Sequence, residues 1–361
     1  MTTQPTARAA SSDAPSGISS DAPAWSGRHD GDGPEHARWH QAIRQAADLG
    51  SGTADSGTGT ADSGSGAAAD HVAVLGFSSD EGVRRNRGRT GAAEGPTALR
   101  RALSPLALHG RLAAGEVALV DHGDTATVGE DLEGGQTAAS AAISAALDAP
   151  GCRLAVVLGG GHETAWASYG GLLGASRMAA DDQGRVPRWG VLNLDAHFDL
   201  RREERPTSGT PFLQMAEAEA SAGRSLAYAV VGISEPSNTG ALFATARELG
   251  VRWMTDLECA QAGAAGIAGF VEDFARELDV LYLTIDLDLL PASVAPGVSA
   301  PAGLGVAPAQ VIAAVRAAAG TGKLALADVV ELNPSFDIDA RTARTAARLI
   351  DEAVSTAVAR F

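Results

Sequence analysis

The chain has 361 residues, of which 45% are hydrophobic and 20% charged, a composition typical of a globular protein with one large α/β domain or two smaller ones. The net charge of -16 argues against nucleic acid as a partner, because little positive charge is available to neutralise a row of phosphates. We find neither an apolar run long enough to span a membrane nor a secretory signal, and two cysteines exclude a disulfide scaffold, so we expect a cytoplasmic protein.

Low-complexity sequence occupies two stretches of the N-terminal part. Residues 1–22 are rich in Ser, Ala, Thr and Pro without periodicity, which predicts a disordered tail. Residues 50–69 hold a near repeat of Gly, Ser, Thr, Ala and Asp, which predicts a flexible insertion. Residues 23–49 carry Trp25 and Trp39, and we expect this segment to be an arm that packs on the main domain. The alternative is a second disordered piece.

Strand-like and helix-like segments alternate from residue 70 to residue 361, which we predict to be one catalytic domain. The predicted strands are 71–77, 117–120, 154–158, 189–194, 227–233, 280–285 and 324–330. The predicted helices include 95–108, 130–147, 211–222, 308–319 and 341–359. This alternation predicts an α/β fold with a mostly parallel sheet covered by helices on both faces. In such sheets, ligands bind at the carboxyl ends of the strands.

Three of the predicted strands are followed by side chains of the kind that bind metals. They are Asp195, His197 and Asp199 after the fourth strand, Asp286 and Asp288 after the sixth, and His162 after the third. Residues spaced by two point to one side of an extended chain, so each set is expected to aim in a single direction. His162 follows three glycines that allow a sharp backbone turn, and we expect it to open a helix. Converging carboxylates repel one another unless cations neutralise them, and the pattern therefore predicts two divalent metal ions.

Carboxylate and imidazole ligands suit Mn²⁺, with Zn²⁺, Co²⁺ and Fe²⁺ as alternatives. In two-metal sites the ions lie about 3.5–4 Å apart and make a water molecule nucleophilic, so the pattern predicts metal-assisted hydrolysis. Other chemistries have less support. The glycines are not followed by the Lys-Ser/Thr of a phosphate-binding loop, and no Gly-x-Ser-x-Gly motif occurs. Cys152 and Cys259 lie in apolar segments typical of a core.

Four ordered motifs resemble those of the ureohydrolase family, which includes arginase and agmatinase. They are Gly-Gly-Gly-His-Glu at 159–163, Asp-Ala-His-Phe-Asp at 195–199, Thr-Ile-Asp-Leu-Asp at 284–288 and Glu-Leu-Asn-Pro at 331–334. The resemblance implies a three-layer α/β/α fold, two Mn²⁺ ions per subunit and a homo-oligomer, either a trimer or a hexamer. It implies one ion held by His162, Asp195, Asp199 and Asp286, and another held by Asp195, His197, Asp286 and Asp288.

Within this family, several segments are similar to those of enzymes that act on N-formimidoyl-L-glutamate. Residues 80–89 and the tryptophan-containing arm resemble the corresponding segments of those enzymes. Ser208 stands where agmatinases tend to have a proton-transfer histidine. The expected reaction cleaves the formimidoyl C–N bond to give L-glutamate and formamide, a step of histidine degradation. Glu331 matches the glutamate that pairs with the substrate's amidine, and Asp199 is expected to carry a proton to the departing nitrogen.

The expected substrate carries two carboxylates, which an acidic protein must meet with local positive charge. Arg201 lies two residues past a predicted metal ligand, and its guanidinium can form a forked contact with a carboxylate. Arg87, Arg89 and Ser208 are further candidates for substrate binding. The alternative for Arg201 is a solvated surface position among acidic neighbours. Two other functions stay open: a guanidine hydrolase that releases urea, and a metal-binding scaffold without turnover.

Overall fold

The computed structural model describes residues 25–49 and 68–361. Its strands are β1 (Ile43–Gln45), β2 (His71–Ser78), β3 (Ala118–Ala126), β4 (Cys152–Leu158), β5 (Trp189–Leu194), β6 (Ala227–Ile233), β7 (Arg252–Thr255), β8 (Val280–Asp286) and β9 (Leu324–Val330). The predicted tail, residues 1–22, and most of the predicted insertion, residues 50–69, lie outside the described residues.

The helices are α1 (Trp39–Ala42), α2 (Ala46–Leu49), α3 (Glu81–Arg85), α4 (Gly95–Leu103), α5 (Gly110–Ala113), α6 (Leu132–Asp148), α7 (Thr164–Gly174), α8 (Pro211–Ser221), α9 (Gly240–Glu248), α10 (Asp256–Ala275), α11 (Pro308–Gly320) and α12 (Arg341–Val358). Helices α8 and α11 begin with a proline, which suits the first helical turn because its missing N–H has no partner there. Helix α10 begins with a capping box between Thr255 and Glu258. Within the described ranges, no helix combines the length and apolar character needed to cross a membrane.

The nine strands of the described residues form one sheet in the order β1-β3-β2-β4-β9-β8-β5-β6-β7. Every pair of neighbouring strands runs parallel. All six residues of β5 and all seven of β9 are buried, as a sheet covered on both faces requires. The predicted α/β fold with a mostly parallel sheet is therefore confirmed.

Two hydrophobic clusters lie on opposite faces of the sheet and define three layers. Along β2, Val72 and Val74 belong to one cluster, whereas Ala73 and Leu75 belong to the other, because successive side chains of a strand point to opposite faces. The first cluster is completed by α4, α10, α11 and α12, and the second by α6, α7, α8 and α9. The core thus fills both spaces between the sheet and its helices.

The structure corrects several predicted boundaries. Strand β3 continues to Ala126 instead of ending at residue 120, because the buried Asp121 is paired with Arg100 and does not end the strand. Helix α4 ends at Leu103 rather than at residue 108, and α7 begins at Thr164 rather than at His162. Strands β1 and β7 were not predicted, since each is short and has no clear apolar pattern.

The segment before the predicted insertion lies against the sheet. Trp39 is fully buried, and its ring stacks on Trp25 with 6.2 Å between the ring centroids. The indole nitrogen of Trp25 donates to Asp121 at 2.7 Å, and that of Trp39 donates to Asp351 at 2.9 Å. Strand β1 pairs with the outer edge of β3. These contacts support the predicted arm, and its boundaries at residues 23 and 49 stay a prediction.

Candidate metal centre

Four neighbouring strands carry the predicted metal ligands and Glu331 at or just beyond their carboxyl ends. In the sheet order, β4, β9, β8 and β5 are adjacent. His162 follows β4, Glu331 follows β9, Asp286 ends β8 and Asp195 follows β5. Because parallel strands end at the same edge of a sheet, these four side chains reach one region although they are far apart in sequence.

The loop after β4 is held close to the backbone of a neighbouring segment. A Cβ atom added to Gly160 would lie 1.8 Å from the carbonyl oxygen of Ser79, so only glycine fits this position. The N–H of Gly161 donates to the same oxygen at 2.9 Å. None of the three glycines has a positive φ. The chain does bend at residues 160–163, as expected, and Gly160 is needed there for the close approach of Ser79 and not for a left-handed backbone.

The first group of ligand atoms surrounds the imidazole of His162. Its Nδ1 lies 3.2 Å from an oxygen of Asp195, 3.0 Å from one of Asp199 and 3.1 Å from one of Asp286. All four ligand atoms lie within 4.8 Å of one another. His162 Nδ1 has no hydrogen-bond partner of normal geometry among the described residues. Three oxygens and one nitrogen therefore face a common point.

The second group contains Asp195, His197 and Asp288. His197 Nδ1 lies 3.0 Å from Asp288 Oδ2 and 3.5 Å from Asp195 Oδ1. Asp195 belongs to both groups through its two different oxygens. Asp286 joins only the first group, through Oδ2, and its Oδ1 accepts the backbone N–H of Asp288 at 2.8 Å. Its predicted bridging of two ions stays a prediction.

The electrostatics of the two groups show how strongly they attract positive charge. Burial opposes a charge on His162, but its three carboxylate neighbours outweigh burial and raise the pKa of the imidazole well above its usual value. The Asp288 carboxylate raises the pKa of His197 to about 12. Burial raises the pKa values of Asp199 and Asp286, and the charge of Asp195 adds to this at Asp199, as the charge of Asp288 does at Asp286. Without cations, bound protons must supply the positive charge that four buried carboxylates require.

The donor set fits divalent cations. A metal ion would take the place of the shared protons and accept lone pairs from the oxygens and the imidazole nitrogen of each group. Carboxylates with imidazoles suit Mn²⁺ and other first-row divalent ions, and neither group includes a thiolate. Cys152 and Cys259 are both free and buried away from these groups.

The ligands converge by a different backbone path from the predicted extended one. Residues 195–197 form bends, Asp199 has a φ of 47°, and Asp288 lies in a 3₁₀ turn. Glu331 has a φ of 68° and Arg87 a φ of 62°. Left-handed backbone is costly for residues other than glycine, and it persists where the surrounding structure imposes it, often at functional sites. Three predicted site residues, Asp199, Glu331 and Arg87, thus have left-handed backbone conformations.

Glu331 has one carboxylate oxygen engaged and one free. Its Oε1 accepts the backbone N–H of His162 at 2.8 Å, whereas Oε2 is buried without a partner among the described residues. Burial and the nearby Glu163 raise the pKa of Glu331 to about 8. An unpaired buried acceptor at the edge of the metal-ligand cluster is suited to a cationic partner.

Several supporting residues were not predicted. Thr284 Oγ1 lies 3.1 Å from His162 Nε2, and Asn193 donates its amide N–H to Asp195 at 2.9 Å. The buried Glu163 accepts hydrogen bonds from the Ser79 hydroxyl at 2.8 Å and from the Gly82 N–H at 3.0 Å, and so joins the loop after β4 to helix α3. The available signal was a polar residue inside an otherwise apolar strand, as at Asn193 and Thr284.

The predicted substrate-binding residues lie on two segments beside the ligand groups. Ser208 is buried and accepts a hydrogen bond from Asn86 at 3.2 Å. The guanidinium of Arg89 donates to the carbonyls of Val298 and Ser299 and lies 4.2 Å from the ring centroid of Phe336. Arg87 and Arg201 are exposed, and in the part of the chain that the structure describes neither side chain has an ion-pair or hydrogen-bond partner. The substrate-binding roles stay predictions.

Comparison with known proteins identifies the family of this chain. A model of the arginase family matches residues 70–355. The chain belongs to the arginase family. A curated relative from Rhodococcus opacus, named formimidoylglutamase, is 50% identical over 334 residues, which cover 92% of this chain and 95% of the relative. The three motifs that carry the ligand groups, at 159–163, 195–199 and 284–288, all lie within the residues matched to the arginase family.

Solved structures of the arginase family share this fold. The structure of Trypanosoma cruzi formiminoglutamase with Mn²⁺ has a TM-score of 0.67 and 26% identity, and covers 80% of this chain and 93% of its own. The structure of formimidoylglutamase from Bacillus subtilis has a TM-score of 0.69 and 22% identity, and covers 86% of this chain and 98% of its own. At that identity the second likeness shows the fold alone, and it agrees with the three-layer architecture.

Proposed function

We propose that this member of the arginase family hydrolyses the formimidoyl C–N bond of N-formimidoyl-L-glutamate and releases L-glutamate and formamide, a step of histidine degradation. The observation that carries the proposal is the convergence of six carboxylate and imidazole ligands. It occurs in a chain that is 50% identical over 92% of its length to a formimidoylglutamase. The geometry supports the class of reaction, and the relative supports the substrate.

The proposed cofactor is a pair of Mn²⁺ ions per subunit. His162, Asp195, Asp199 and Asp286 would hold one ion, and Asp195, His197, Asp286 and Asp288 would hold the other. When bound, the pair would lower the pKa of a water molecule and supply a nucleophile near neutral pH. The structure of the Trypanosoma cruzi relative with Mn²⁺ supports the choice of metal.

Two residues of the chain would act on the substrate directly. Glu331 Oε2, which has no partner among the described residues, would accept a hydrogen bond from the cationic formimidoyl nitrogen and so orient its carbon toward the ligand groups. Asp199, whose side chain is 13% exposed beside His162, would carry a proton to the departing glutamate nitrogen. Protonation of that nitrogen is needed because a free amide anion is a poor leaving group.

The pattern of paired arginines supports a dicarboxylate substrate. Near the site, Arg85 binds Glu81 and Glu133, and Arg202 binds Glu217. Arg87 and Arg201 have no such partner in the described ranges, so their charges are available to the two carboxylates of formimidoylglutamate. Ser208 offers a hydroxyl beside them. Arg89 stays a predicted substrate contact, although two backbone carbonyls already accept from its guanidinium.

Two further properties are part of the proposal. The two cysteines are free and buried, which supports a reducing compartment, and on that basis the proposed location is the cytoplasm. A trimer or hexamer rests on the family resemblance alone.

An assay on purified, Mn²⁺-loaded protein tests the proposed function. The substrates are N-formimidoyl-L-glutamate, agmatine, L-arginine and 4-guanidinobutyrate, with formamide and urea measured separately. We expect formamide from the first substrate and no urea from the other three. Urea release from any guanidine without hydrolysis of formimidoylglutamate would establish the alternative, a guanidine hydrolase. Metal binding without turnover on any of them would indicate a scaffold.

A further inference from the structure

Helix α3 and the turn before α8 meet at a patch of hydrogen-bond donors beside the ligand groups. Asn86 directly follows α3 as its C-cap, and its side-chain N–H donates to Ser208 Oγ at 3.2 Å. Because the Ser208 oxygen accepts this bond, its own hydroxyl proton is free to be donated elsewhere. The guanidinium of Arg201 adds further donors, and no carboxylate among the described residues forms a hydrogen bond or an ion pair with the side chain of Asn86, Ser208 or Arg201.

Gly209 explains how Arg201 comes close to this patch. A Cβ atom added to Gly209 would lie 2.9 Å from Arg201 Cδ, 3.3 Å from Arg201 Nε and 3.4 Å from Asn86 Nδ2. The φ of Gly209 is not in the left-handed region, so the backbone itself would accept another residue. The backbone N–H of Arg201 also donates to the carbonyl of Gly209 at 2.9 Å. The absence of a side chain at residue 209 therefore lets the stem of Arg201 lie next to Asn86.

Both segments are fixed before any ligand binds. The turn is closed by Thr207, whose Oγ1 accepts the Gly209 N–H at 3.1 Å, and by Thr210, whose Oγ1 accepts the Thr207 N–H at 3.0 Å. The backbone N–H of Asn86 donates to Gly82 at 2.9 Å, and the N–H of Gly82 is held in turn by the buried Glu163. Because the backbone that carries these donors is already ordered, only side chains must be immobilised when an anion binds.

We propose that Asn86 and Gly209 set the specificity of this site for a carboxylate-bearing substrate. Asn86 orients the Ser208 hydroxyl, and Gly209 provides the space in which Arg201 lies beside it, so that the hydroxyl and the guanidinium meet one carboxylate together. This inference rests on the proposed function and adds two positioning residues to it. Neither residue is required to contact the formimidoyl group.

Two substrates that each lack one carboxylate allow a direct test. N-formimidoyl-4-aminobutyrate lacks the α-carboxylate, and N-formimidoyl-L-2-aminobutyrate lacks the side-chain carboxylate. The variants are Gly209→Ala and Asn86→Ala, with Gly240→Ala as a matched control, because a Cβ atom at residue 240 meets nothing within 4 Å. Asn86 is exposed, so its truncation keeps the test valid if the glycine variant fails to fold.

We expect Gly209→Ala and Asn86→Ala to raise KM for formimidoylglutamate about tenfold with kcat nearly unchanged, the size of one weakened charge-assisted hydrogen bond. The inhibition constant of the product L-glutamate should rise in parallel. With the substrate that lacks the carboxylate bound by Arg201, the variants and the parent protein should have the same KM. In an Arg201→Ala background, Gly209→Ala should have no further effect. Gly240→Ala should match the parent protein throughout.

Three outcomes would overturn the inference while leaving the proposed function intact. They are an unchanged KM in both variants, an equal rise in KM for both truncated substrates, and additive effects of Gly209→Ala and Arg201→Ala. Failure of the parent protein itself to hydrolyse formimidoylglutamate would instead refute the proposed function. The two failures are thus distinguished by the activity of the unmodified chain.

Discussion

Replacing Glu331 by glutamine separates charge from structure at the candidate site. The glutamine has the same shape, and its amide oxygen can still accept the backbone N–H of His162, which Glu331 Oε1 accepts at 2.8 Å. Glu331 is 5% exposed, so the replacement stays in the same buried position. The variant therefore loses only the negative charge that we propose to face the cationic formimidoyl group.

The expected loss follows from the strength of a charged hydrogen bond. Such a bond contributes about 1.5–3 kcal/mol, so kcat/KM should fall about 10- to 150-fold. Burial and Glu163 raise the pKa of Glu331 to about 8 in the metal-free protein. Two bound cations nearby favour the carboxylate and lower that pKa, so the loss should be present at neutral pH.

The assay measures kcat/KM for formimidoylglutamate together with the metal content of each variant. Glu331→Gln should bind as much Mn²⁺ as the parent protein. Glu331→Ala should lose similar activity and also unfold at lower urea concentration, because the buried N–H of His162 loses its acceptor at a cost of about 1–3 kcal/mol. An unchanged kcat/KM in the glutamine variant, or loss of its metal, would refute this role for Glu331.

Three other changes test the ligand groups and the N-terminal arm. Asp286→Asn should weaken metal binding about 100-fold, so that Mn²⁺ at about 1,000 times the parent Kd gives about 2.7 kcal/mol less stabilisation. For a domain of about 300 residues this corresponds to about 3–5 °C less increase in thermal midpoint on adding Mn²⁺. The same increase in the variant and in the parent protein would contradict the assignment. In metal-free protein, the free energy of unfolding, measured in urea, should fall as pH rises above 6.5. The folded state raises the pKa of His197 from 6.5 to about 12, so above pH 6.5 only the folded state keeps that proton. A free energy of unfolding that increases with pH over this range would contradict the raised pKa. Asp121→Ala removes a carboxylate partner of the buried Arg100 and should lower the free energy of unfolding in urea by about 3–5 kcal/mol. Asp351→Ala removes only the acceptor of the Trp39 indole N–H and should lower it by about 1–3 kcal/mol. Equal losses in the two variants would contradict a role for the buried ion pair.

The strands buried on both faces could be predicted from the sequence almost residue by residue. Strand β5 was predicted at its observed bounds, Trp189–Leu194, because a doubly covered strand is an almost continuous apolar run, here interrupted only by Asn193, with polar neighbours at both ends. Strand β3 could not be predicted beyond Val120, since Asp121 is polar in sequence and becomes a core residue only through its pairing with Arg100. That pairing depends on tertiary structure.

The kinds of metal ligand could be predicted, and their exact path could not. The spacing of Asp195, His197 and Asp199 indicated that they act together, but their convergence results from bends and from the left-handed backbone of Asp199. The contact between Asn86 and Ser208 joins two segments separated by 122 residues. No pattern within either segment indicates the other, so such a contact emerges only from the fold.

Anomalous scattering at the manganese edge, from crystals grown with Mn²⁺, tests the central claim most directly. We predict two peaks in each chain, one surrounded by His162, Asp195, Asp199 and Asp286, and the other near Asp195, His197 and Asp288. A single peak, no peak at the carboxyl ends of β5 and β8, or peaks at other residues would contradict the two-metal centre on which the proposed hydrolysis depends.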